Sequence, residues 1–299
     1  MTNPFVSYVA GFEALLASGA GLSADHAAHP QLPEVAADAP VCLVFSPHPD
    51  DEVISGALPW RLRSQACWRV VNVAVTLGSN KTRRAARWLE LEQGCAYLGF
   101  ELASASDETR CGLEGVSEHT AQDDPAVWAG CVARIADLIA RYQPRLIVCP
   151  HANDGHPAHI GTHRLVMDAL RKLGTQADVY LALSEYWNTQ SDPGLMVELG
   201  QAEVADLVAA LSLHVGEVSR NPYHLTLPAW FIDSVRRGAE RVGSPGDRAP
   251  GFRFASLYGW KRWSQGRCEA LAATLWPLGQ QPDLLFVAAS VGGRRPEPV

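Results

Sequence analysis

Two short polar segments of this chain carry the residue types from which hydrolytic metal sites are built. The first is His48–Glu52, of sequence His-Pro-Asp-Asp-Glu, which puts an imidazole and three carboxylates on one turn. The second, His151–His163, contains four of the ten histidines of the chain. Imidazole and carboxylate groups are common ligands of catalytic metals, and a further carboxylate can accept a proton. The two segments predict a metal centre beside a general base.

Each polar segment directly follows an apolar run that is typical of a buried strand. The run 41–45 is Val-Cys-Leu-Val-Phe, and the run 146–150 is Leu-Ile-Val-Cys-Pro. In open α/β sheets, ligands bind beyond the carboxyl ends of the strands. We therefore expect the two segments to lie together at one edge of a parallel sheet.

A simpler explanation exists for the first segment taken alone. Acidic residues after a proline are a normal helix start, with Asp50 as N-cap and with Asp51 and Glu52 favoured by the helix dipole. That explanation does not account for His48, nor for the histidines of the second segment. The two segments together favour a functional site.

The spacing of apolar residues predicts the elements that hold these segments in place. Strands are predicted at about 41–46, 68–76, 145–150 and 178–184, with strand-like segments at 252–259 and 283–289. Helices are predicted at about 4–18, 52–65, 81–98, 125–142, 160–173, 200–214 and 226–241. Pro59 could kink or shorten the second helix, and residues 103–123 are expected to be irregular. Alternating strands and helices indicate a mostly parallel α/β sheet with helices on both faces.

The pattern weakens beyond residue 190, which suggests three parts. We predict an N-terminal helix and connection (1–40), a Rossmann-like catalytic core (41–190) and a less regular C-terminal part (191–299) that covers the active-site face. No Gly-x-Gly-x-x-Gly motif follows the first strand, which disfavours dinucleotide binding.

The composition is that of an ordinary globular protein. Of the 299 residues 47% are hydrophobic and 19% are charged, and the net charge of −7 argues against a nucleic-acid partner. Seven cysteines without a Cys-x-x-Cys pair fit a reducing compartment. Neither a signal peptide nor an apolar run of the roughly 18 residues needed to span a membrane is evident. We therefore predict a cytoplasmic protein without an integral membrane segment, and a homo-oligomer is one option.

Four motifs occur in the order found in a known enzyme family. They are His-Pro-Asp-Asp-Glu at 48–52, Thr76-Leu77-Gly78, Arg87-x-x-Glu90-Leu91 with Leu98-Gly99 closing its helix, and His156-Pro157-Ala158-His159. In this order the chain resembles the PIG-L/LmbE-like family of zinc-dependent N-acetylglucosamine-type deacetylases. The resemblance covers about residues 41–185 and implies a Rossmann-like, lactate-dehydrogenase-type fold.

The resemblance also implies one Zn²⁺ per chain, with Fe²⁺ or another divalent metal as an option. By position, the metal ligands would be His48, Asp51 and His159. Three protein ligands leave the open position that a catalytic zinc needs. His163 follows His159 by four residues and would share its helix face, so a His-x-x-x-His pair is an alternative ligand set.

The same resemblance assigns the catalytic roles. Asp50 would act as the general base on a zinc-bound water whose pKa the metal lowers. His156 would polarise the amide carbonyl and stabilise the oxyanion, and could protonate the departing amine. The products would be acetate and a free amino sugar.

The chain departs from the family at Ala158, where many relatives carry Asp or Asn. If that side chain normally orients a histidine, Asp154 or Asn153 could take over its role. Substrate contacts are expected from Arg87, with Arg83 and Arg84 on the same helix start, from His151 at the strand end, from Asp154, and from Trp187 as a sugar-stacking face.

We therefore expect removal of an N-acetyl group from an N-acetylglucosamine-type sugar, carried by a small-molecule or lipid-linked glycoconjugate. A metal-dependent hydrolase of another amide or of a phosphoester is an alternative, and a phosphoesterase would more often use two metals about 4 Å apart. A non-catalytic sugar-binding relative is a further alternative, against which the intact Asp50 argues.

Overall fold

The structure, a computed structural model, describes residues 3–22, 28–243, 246 and 248–288, and within these residues nine strands form one sheet. The strands are β1 (Val41–Ser46), β2 (Arg69–Ala74), β3 (Glu101–Ser104), β4 (Leu146–Pro150), β5 (Val179–Ser184), β6 (Leu195–Leu199), β7 (Phe254–Ser264), β8 (Arg267–Ala270) and β9 (Thr274–Trp276). Their order is β3-β2-β1-β4-β5-β7-β6-β9, with β8 paired to β7.

Helices connect the strands and cover both faces of the sheet. They are α1 (Phe5–Gly19), α2 (Asp51–Ile54), α3 (Ala57–Ala66), α4 (Arg84–Leu98), α5 (Thr120–Asp123), α6 (Pro125–Tyr142), α7 (Pro157–Leu173), α8 (Gln201–Ser212), α9 (Val215–Val218), α10 (Tyr223–Gly238) and α11 (Asp283–Ala288). Short 3₁₀ turns occupy Lys81–Arg83 and Gly174–Gln176, and a π-turn occupies Ala239–Gly243. In the described part of the chain no helix has the length and apolar character to cross a bilayer.

The half of the sheet from β3 to β5 is parallel, and β7 runs antiparallel to both β5 and β6. Strand β1 lies inside the parallel half, and its residues 42–46 are fully buried. Such burial on both faces explains why these strands read as continuous apolar runs. The predicted mostly parallel α/β fold is confirmed.

The core has a layer on each face of the sheet. One layer packs α3, α4 and α8 against β1 and β2, and includes Trp60, Leu91 and Leu207. The other packs α6 and α7 against the opposite face, and includes Ile135 and Leu170. The long helices α6 and α7 also pack against each other, and α7 packs against β4.

The register of β1 and β4 brings their carboxyl ends together. Cys42 pairs with Leu146 and Val44 with Val148, so the chain leaves both strands at the same edge. The hydroxyl of Thr76, just beyond β2, donates to the carbonyl of Pro47 at 2.7 Å and ties the third strand end to this edge. The segments that were predicted to carry chemistry start there.

Several predicted elements differ from the structure. The helix predicted at 52–65 is two helices, α2 and α3, which separate at Gly56; a Cβ at Gly56 would lie only 2.7 Å from the carbonyl oxygen of Glu52. Pro59 lies in the first turn of α3, where a proline is tolerated. Strand β3 lies partly within the segment 103–123 that was expected to be irregular, and β6, β8 and β9 were not predicted.

The strand predicted at 283–289 is wrong: residues 283–288 form helix α11, and residue 289 lies outside the described residues. Short apolar runs do not distinguish strand from buried helix by periodicity. Here Leu285 and Phe286 are buried while Leu284 is exposed. The division of the chain at residue 190 stays a prediction; β6 to β9, beyond it, belong to the same sheet.

Candidate active site

The turn after β1 is built around an unusual backbone conformation. Asp50 has φ +112°, in the left-handed region that favours glycine. Its N–H donates to Oε2 of Glu52 at 2.9 Å, and the N–H of His48 donates to Oδ2 of Asp51 at 2.8 Å. These bonds fold the turn tightly, so that His48 and Asp51 approach each other.

The second segment forms a loop and the start of α7. Gly155 adopts φ +86°, and His156 caps the helix, its Nδ1 accepting from the N–H of Ala158 at 3.2 Å. His159 follows in the first turn and is almost fully buried, with 1% of its surface exposed. Because His156 accepts through Nδ1, its own ring hydrogen lies on Nε2.

Three side-chain atoms from the two segments converge on one point. The distances are 3.3 Å from His48 Nδ1 to Asp51 Oδ2, 3.2 Å from His159 Nε2 to Asp51 Oδ2, and 3.2 Å from His48 Nδ1 to His159 Nε2. Ligand bonds of about 2.0–2.1 Å in a tetrahedral zinc site place ligand atoms roughly 3.3–3.4 Å apart. The donor set therefore fits a mononuclear metal.

A second grouping of metal-competent side chains overlaps the first. His48, His156 and His159 offer ring nitrogens within 4.8 Å of one another. The ring of His156 lies with its centroid 5.0 Å from that of His48 and 5.1 Å from that of His159. The set that contains Asp51 is the tighter one, and His156 stands at its border.

The carboxylate of Asp154 lies behind His159, next to the ring nitrogen that faces away from the metal-competent cluster. Its Oδ1 lies 3.2 Å from His159 Nδ1, and Asp154 is fully buried. A carboxylate behind a histidine fixes the ring and its tautomer, as is common for metal ligands. Ala158 has no polar group with which to orient a histidine. The position of Asp154 beside His159 fits the prediction that Asp154 orients the ring instead.

The charges of the cluster create a negative potential. Burial alone would lower the pKa of His159, but Asp51 and Asp154 outweigh it and raise that pKa to about 10. Burial would raise the pKa of Asp51, but His159 and His48 lower it well below its usual value. A site that holds a proton so firmly favours positive charge, and a divalent cation competes for the same place.

Asp50 has a different environment from its neighbour. Burial, and then the adjacent carboxylate of Asp51, raise the pKa of Asp50 well above its ordinary value, against the opposing charges of His214 and Arg87. Arg87 Nη2 lies 3.8 Å from Asp50 Oδ1 and donates to the carbonyl of Pro49 at 2.8 Å. A carboxylate with a raised pKa is a stronger proton acceptor.

The cluster opens into a cavity of about 760 Å³. His48, Asp50, Asp51, His156 and His159 line its floor. Its walls include Tyr186, Trp187, Glu217, Tyr223, Leu227 and Trp230. The exposed Trp187 stacks on His156, with the ring planes 26° apart. Such a volume accommodates a ligand of sugar size or larger.

Arginines line one side of the cavity, and each has an acidic partner. Arg83, Arg84, Arg87 and Arg220 contribute to the lining, where Glu217 pairs with three of them and Glu114 with Arg84. Arg87, expected from the sequence, is the most buried of the four. Arg83 also donates to the carbonyl of Gly216, so it joins the turn that precedes α4 to the C-terminal part.

The structure brings most, but not all, of the predicted residues to the cavity. His151 is buried outside the lining, with Nε2 2.9 Å from the carbonyl oxygen of Asn188, and its contact with substrate stays a prediction. Asp154 lies behind His159 and does not line the cavity. His163 Nδ1 lies 2.8 Å from the carbonyl oxygen of Pro150, and His163 does not belong to the metal-competent group.

The sequence predicted that the C-terminal part covers the active-site face, but it identified none of the residues that do so. Glu217 in α9 and Tyr223 and Trp230 in α10 form a cavity wall, and Tyr186 packs edge-on against His159 with ring centroids 4.7 Å apart. No motif marks these residues. Only Tyr186 had a sequence signal, its position two residues after the predicted strand at 178–184.

The sequence comparison with protein families agrees with this geometry. Residues 43–170 match the sequence model of the family described as PIG-L, GlcNAc-PI de-N-acetylase. The predicted resemblance to the PIG-L/LmbE-like family is confirmed. The matched residues, called the PIG-L segment below, run from within β1 to the last turn of α7 and include every residue of the metal-competent cluster. The match supports an N-deacetylase at the level of the family.

Solved structures share the fold at low sequence identity. N,N'-diacetylchitobiose deacetylase from Pyrococcus horikoshii is 17% identical (TM-score 0.53, 75% of this chain and 84% of that chain). The A40926 pseudoaglycone deacetylase Dbv21 is 16% identical (TM-score 0.54, 76% and 98%). GalB, a 4-carboxy-2-hydroxymuconate hydratase from Pseudomonas putida, is 16% identical (TM-score 0.51, 74% and 95%). No curated protein matches the chain in sequence.

Proposed function

We propose that this protein is a metal-dependent amidohydrolase that removes the N-acetyl group from an N-acetylglucosamine-type sugar in a glycoconjugate. The observation that carries the proposal is the convergence of His48, Asp51 and His159 within 3.3 Å, beside the buried carboxylate of Asp50. The match of the PIG-L segment supports the deacetylase chemistry. A cytoplasmic location remains part of the proposal.

His48, Asp51 and His159 would hold the metal, with Zn²⁺ as the first candidate and Fe²⁺ or another divalent ion as an alternative. When bound there, a divalent metal supplies Lewis acidity, which polarises a carbonyl and makes water more acidic. We assign Asp51 rather than His156 as the third ligand, because the three atoms of the Asp51 set lie at tetrahedral spacing. Asp154 then orients His159 through Nδ1.

Asp50 is the proton acceptor in the proposed reaction. It takes a proton from the attacking water, whose oxygen forms a bond to the acetamide carbon. The raised pKa of Asp50 and its burial strengthen it as a base. Collapse of the tetrahedral intermediate breaks the C–N bond, and the proton passes to the leaving amine, which gives acetate and a free amino sugar.

His156 is assigned to the developing negative charge on the substrate oxygen. Burial, followed by the nearby His48 and His159, lowers the pKa of His156, so the ring is neutral near pH 7. Its Nδ1 accepts from Ala158, which leaves Nε2–H as the donor. A fixed donor at the border of the metal cluster can stabilise an oxyanion without reorganisation.

The cavity walls suit a sugar conjugate. Trp187 exposes 60% of its surface at the rim, where an aromatic face can pack against a pyranose ring. Arg87 lies near Asp50, where its guanidinium can bind a sugar hydroxyl or an acidic substituent. These contacts accommodate either a small-molecule or a lipid-linked amino sugar.

Hydrolysis of a phosphoester is the less favoured alternative. It would more often use two metals about 4 Å apart, whereas the two metal-competent groupings of the described residues share His48 and His159 and so surround one place. The fold alone does not select the reaction, since the hydratase GalB shares it. The assignment to a deacetylase therefore depends on the PIG-L segment and the cluster.

The experiment that tests the proposal measures acetate and free-amine release from a panel of N-acetylglucosamine conjugates. Metal-free protein is compared with protein reconstituted with Zn²⁺, and Asp50→Asn is compared with wild type. We expect metal-dependent release of acetate and amine in equal amounts, and its loss in Asp50→Asn. Release of phosphate from phosphorylated sugars, with no acetate, would instead support the alternative.

A further inference from the structure

The backbone of Asp50 is held in a conformation that an aspartate does not favour. Its φ of +112° lies in the left-handed region, and Asp50 is followed at once by the metal-binding candidate Asp51. A residue in this region costs free energy and persists only where its surroundings enforce the conformation. The contacts of Asp50 should therefore include such a constraint.

Glu52 supplies one end of the constraint. Its Oε2 accepts the N–H of Asp50 at 2.9 Å, and its Oε1 lies 2.7 Å from Nε2 of His214. Glu52 and His214 are both fully buried. Because one carboxylate joins the backbone of Asp50 to a buried imidazole, the position of Glu52 is set by His214.

His214 belongs to the C-terminal part, outside the PIG-L segment. It lies between α8 and α9, where its carbonyl accepts the N–H groups of Glu217 and Val218. Helix α4 leaves space for the pair, since a Cβ at Gly94 would lie 2.9 Å from His214 Nε2 and 3.3 Å from Glu52 Oε1. Three segments distant in sequence thus meet at this pair.

We propose that the Glu52–His214 pair positions Asp50, so that the C-terminal part completes the active site of the PIG-L segment. Glu52 and His214 are positioning residues, because they act through the backbone of Asp50 and do not line the cavity. The expected loss of kcat rests on the proposed function, whereas the expected change in the backbone conformation of Asp50 does not.

Three substitutions test the pair, two at His214 and one at the glycine that faces it. His214→Leu removes the ring nitrogens, whereas His214→Gln keeps an N–H donor for Glu52. Gly94→Ala adds a methyl group against the pair, although alanine favours a helix more than glycine does. The controls are His224→Leu, another buried histidine outside the cavity lining, and Gly130→Ala in α6, where a Cβ meets nothing within 4 Å.

We expect kcat for acetate release to fall roughly 10²-fold in His214→Leu and Gly94→Ala, as displaced catalytic groups lose rate on this scale. KM and metal content should stay near wild type, and His214→Gln should recover most of the rate. Both controls should keep the wild-type kcat. A purely structural pair would lower stability and leave the kcat of folded protein unchanged, which would overturn the proposal.

A crystal structure of His214→Leu gives a readout that needs no substrate. We expect Asp50 to leave the left-handed region while His48 and His159 keep their places. An unchanged Asp50 conformation contradicts the inference, whichever reaction the protein catalyses. Absence of acetate release from wild type, by contrast, contradicts the proposed function alone.

A separate observation concerns the surface of α1. Six large side chains form one stripe along this helix, with 44–67% of each exposed: Phe5, Tyr8, Val9, Phe12, Leu15 and Leu16. The last residue of the helix, Gly19, packs against Leu225 of α10, where a Cβ would lie 2.7 Å from Leu225 Cδ2. Within the part of the chain that the structure describes, the stripe is left exposed.

The size and charge of this stripe favour a second copy of the chain as its partner. The six side chains expose roughly 500–700 Å² of apolar surface, since one aromatic side chain presents about 150–250 Å². Specific interfaces bury about 800 Å² per partner, so two paired α1 helices with their flanks reach this size. The first 60 residues contain no Lys or Arg, which disfavours an anionic membrane surface.

We infer that two copies of the chain pair through α1. Sedimentation velocity tests this with Phe12→Glu on the stripe and Ala14→Glu on the opposite side of the helix as the control. Wild type and Ala14→Glu should be dimeric, and Phe12→Glu should raise the dimer dissociation constant at least tenfold. A monomeric wild type at high concentration overturns the inference, as does flotation of the wild type with neutral phosphatidylcholine vesicles.

Discussion

At the scale of single residues, the adjacent Asp50 and Asp51 have different surroundings, which suit them to different roles. Asp51 faces two imidazoles, which lower its pKa and suit it to hold a cation. Asp50 is buried beside a second carboxylate, and its pKa is raised. The side chains of adjacent residues diverge, so one carboxylate can bind a metal while the other accepts a proton.

We predict that Asp50→Asn lowers kcat for acetate release by about 10²–10⁴-fold, the range that a general base contributes. Metal content should remain at the wild-type level, because Asp50 is outside the proposed ligand set. Metal analysis beside the rate assay checks both points. Loss of the metal in Asp50→Asn would place Asp50 among the ligands.

His156 and His159 separate rate from metal binding. His156→Ala should lower kcat by about 10²–10³-fold with the metal retained, as for the loss of an oxyanion donor. His159→Ala should lose the metal. The exposed His119, outside the cavity lining, provides the control His119→Ala, which should change neither quantity. Retention of metal by His159→Ala would favour His163 as the metal ligand in place of His159.

Asp154 gives a graded test of the support behind His159. Asp154→Asn removes the charge while it keeps the shape, and we expect metal affinity to fall by roughly 10–100-fold, as is typical of groups that orient a ligand. Competition with a chromophoric chelator measures the affinity. An unchanged affinity would mean that the 3.2 Å contact does not orient the ring.

At the scale of elements, the sequence predicted the strands and loops that carry the metal-competent cluster better than the helices that form the cavity wall. Buried strands are recognisable in a sequence as apolar runs. The limits of β1 and β4 therefore lie within about one residue of those predicted. The residues that follow these strands are the metal-competent cluster, so motif and element agree. His214, Glu217 and Tyr223 reach the site only through the packing of α8, α9 and α10, which no local pattern encodes.

The packing of α7 positions His159 and can be tested at Gly161. A Cβ at this residue would lie 2.8–2.9 Å from backbone atoms of Ser117, so α7 approaches that loop as closely as a glycine allows. Gly161→Ala should destabilise the protein by about 1–3 kcal/mol through overpacking and weaken metal binding. Gly130→Ala should be neutral or stabilising. Urea unfolding of both variants checks the difference.

At the scale of the whole molecule, the PIG-L segment holds the proposed metal ligands and catalytic residues, and the C-terminal part lines the cavity in front of them. β6 to β9 extend the same sheet, and α9 and α10 form a wall of the cavity. The sequence predicted a parallel sheet with a less regular end, but the segment beyond residue 190 gave no motif. We expect residues of the C-terminal part to select the substrate, because the proposed catalytic residues all lie within the PIG-L segment.

Titration of metal-free protein with Zn²⁺, while acetate release from the best conjugate of the panel is followed, tests the proposed function most directly. We expect the rate to rise from a negligible value and to saturate at one metal per chain, and we expect Asp51→Ala to be inactive and metal-free. Full acetate release without metal, or no release at one bound metal with every acetamido sugar in the panel, would contradict the proposed function.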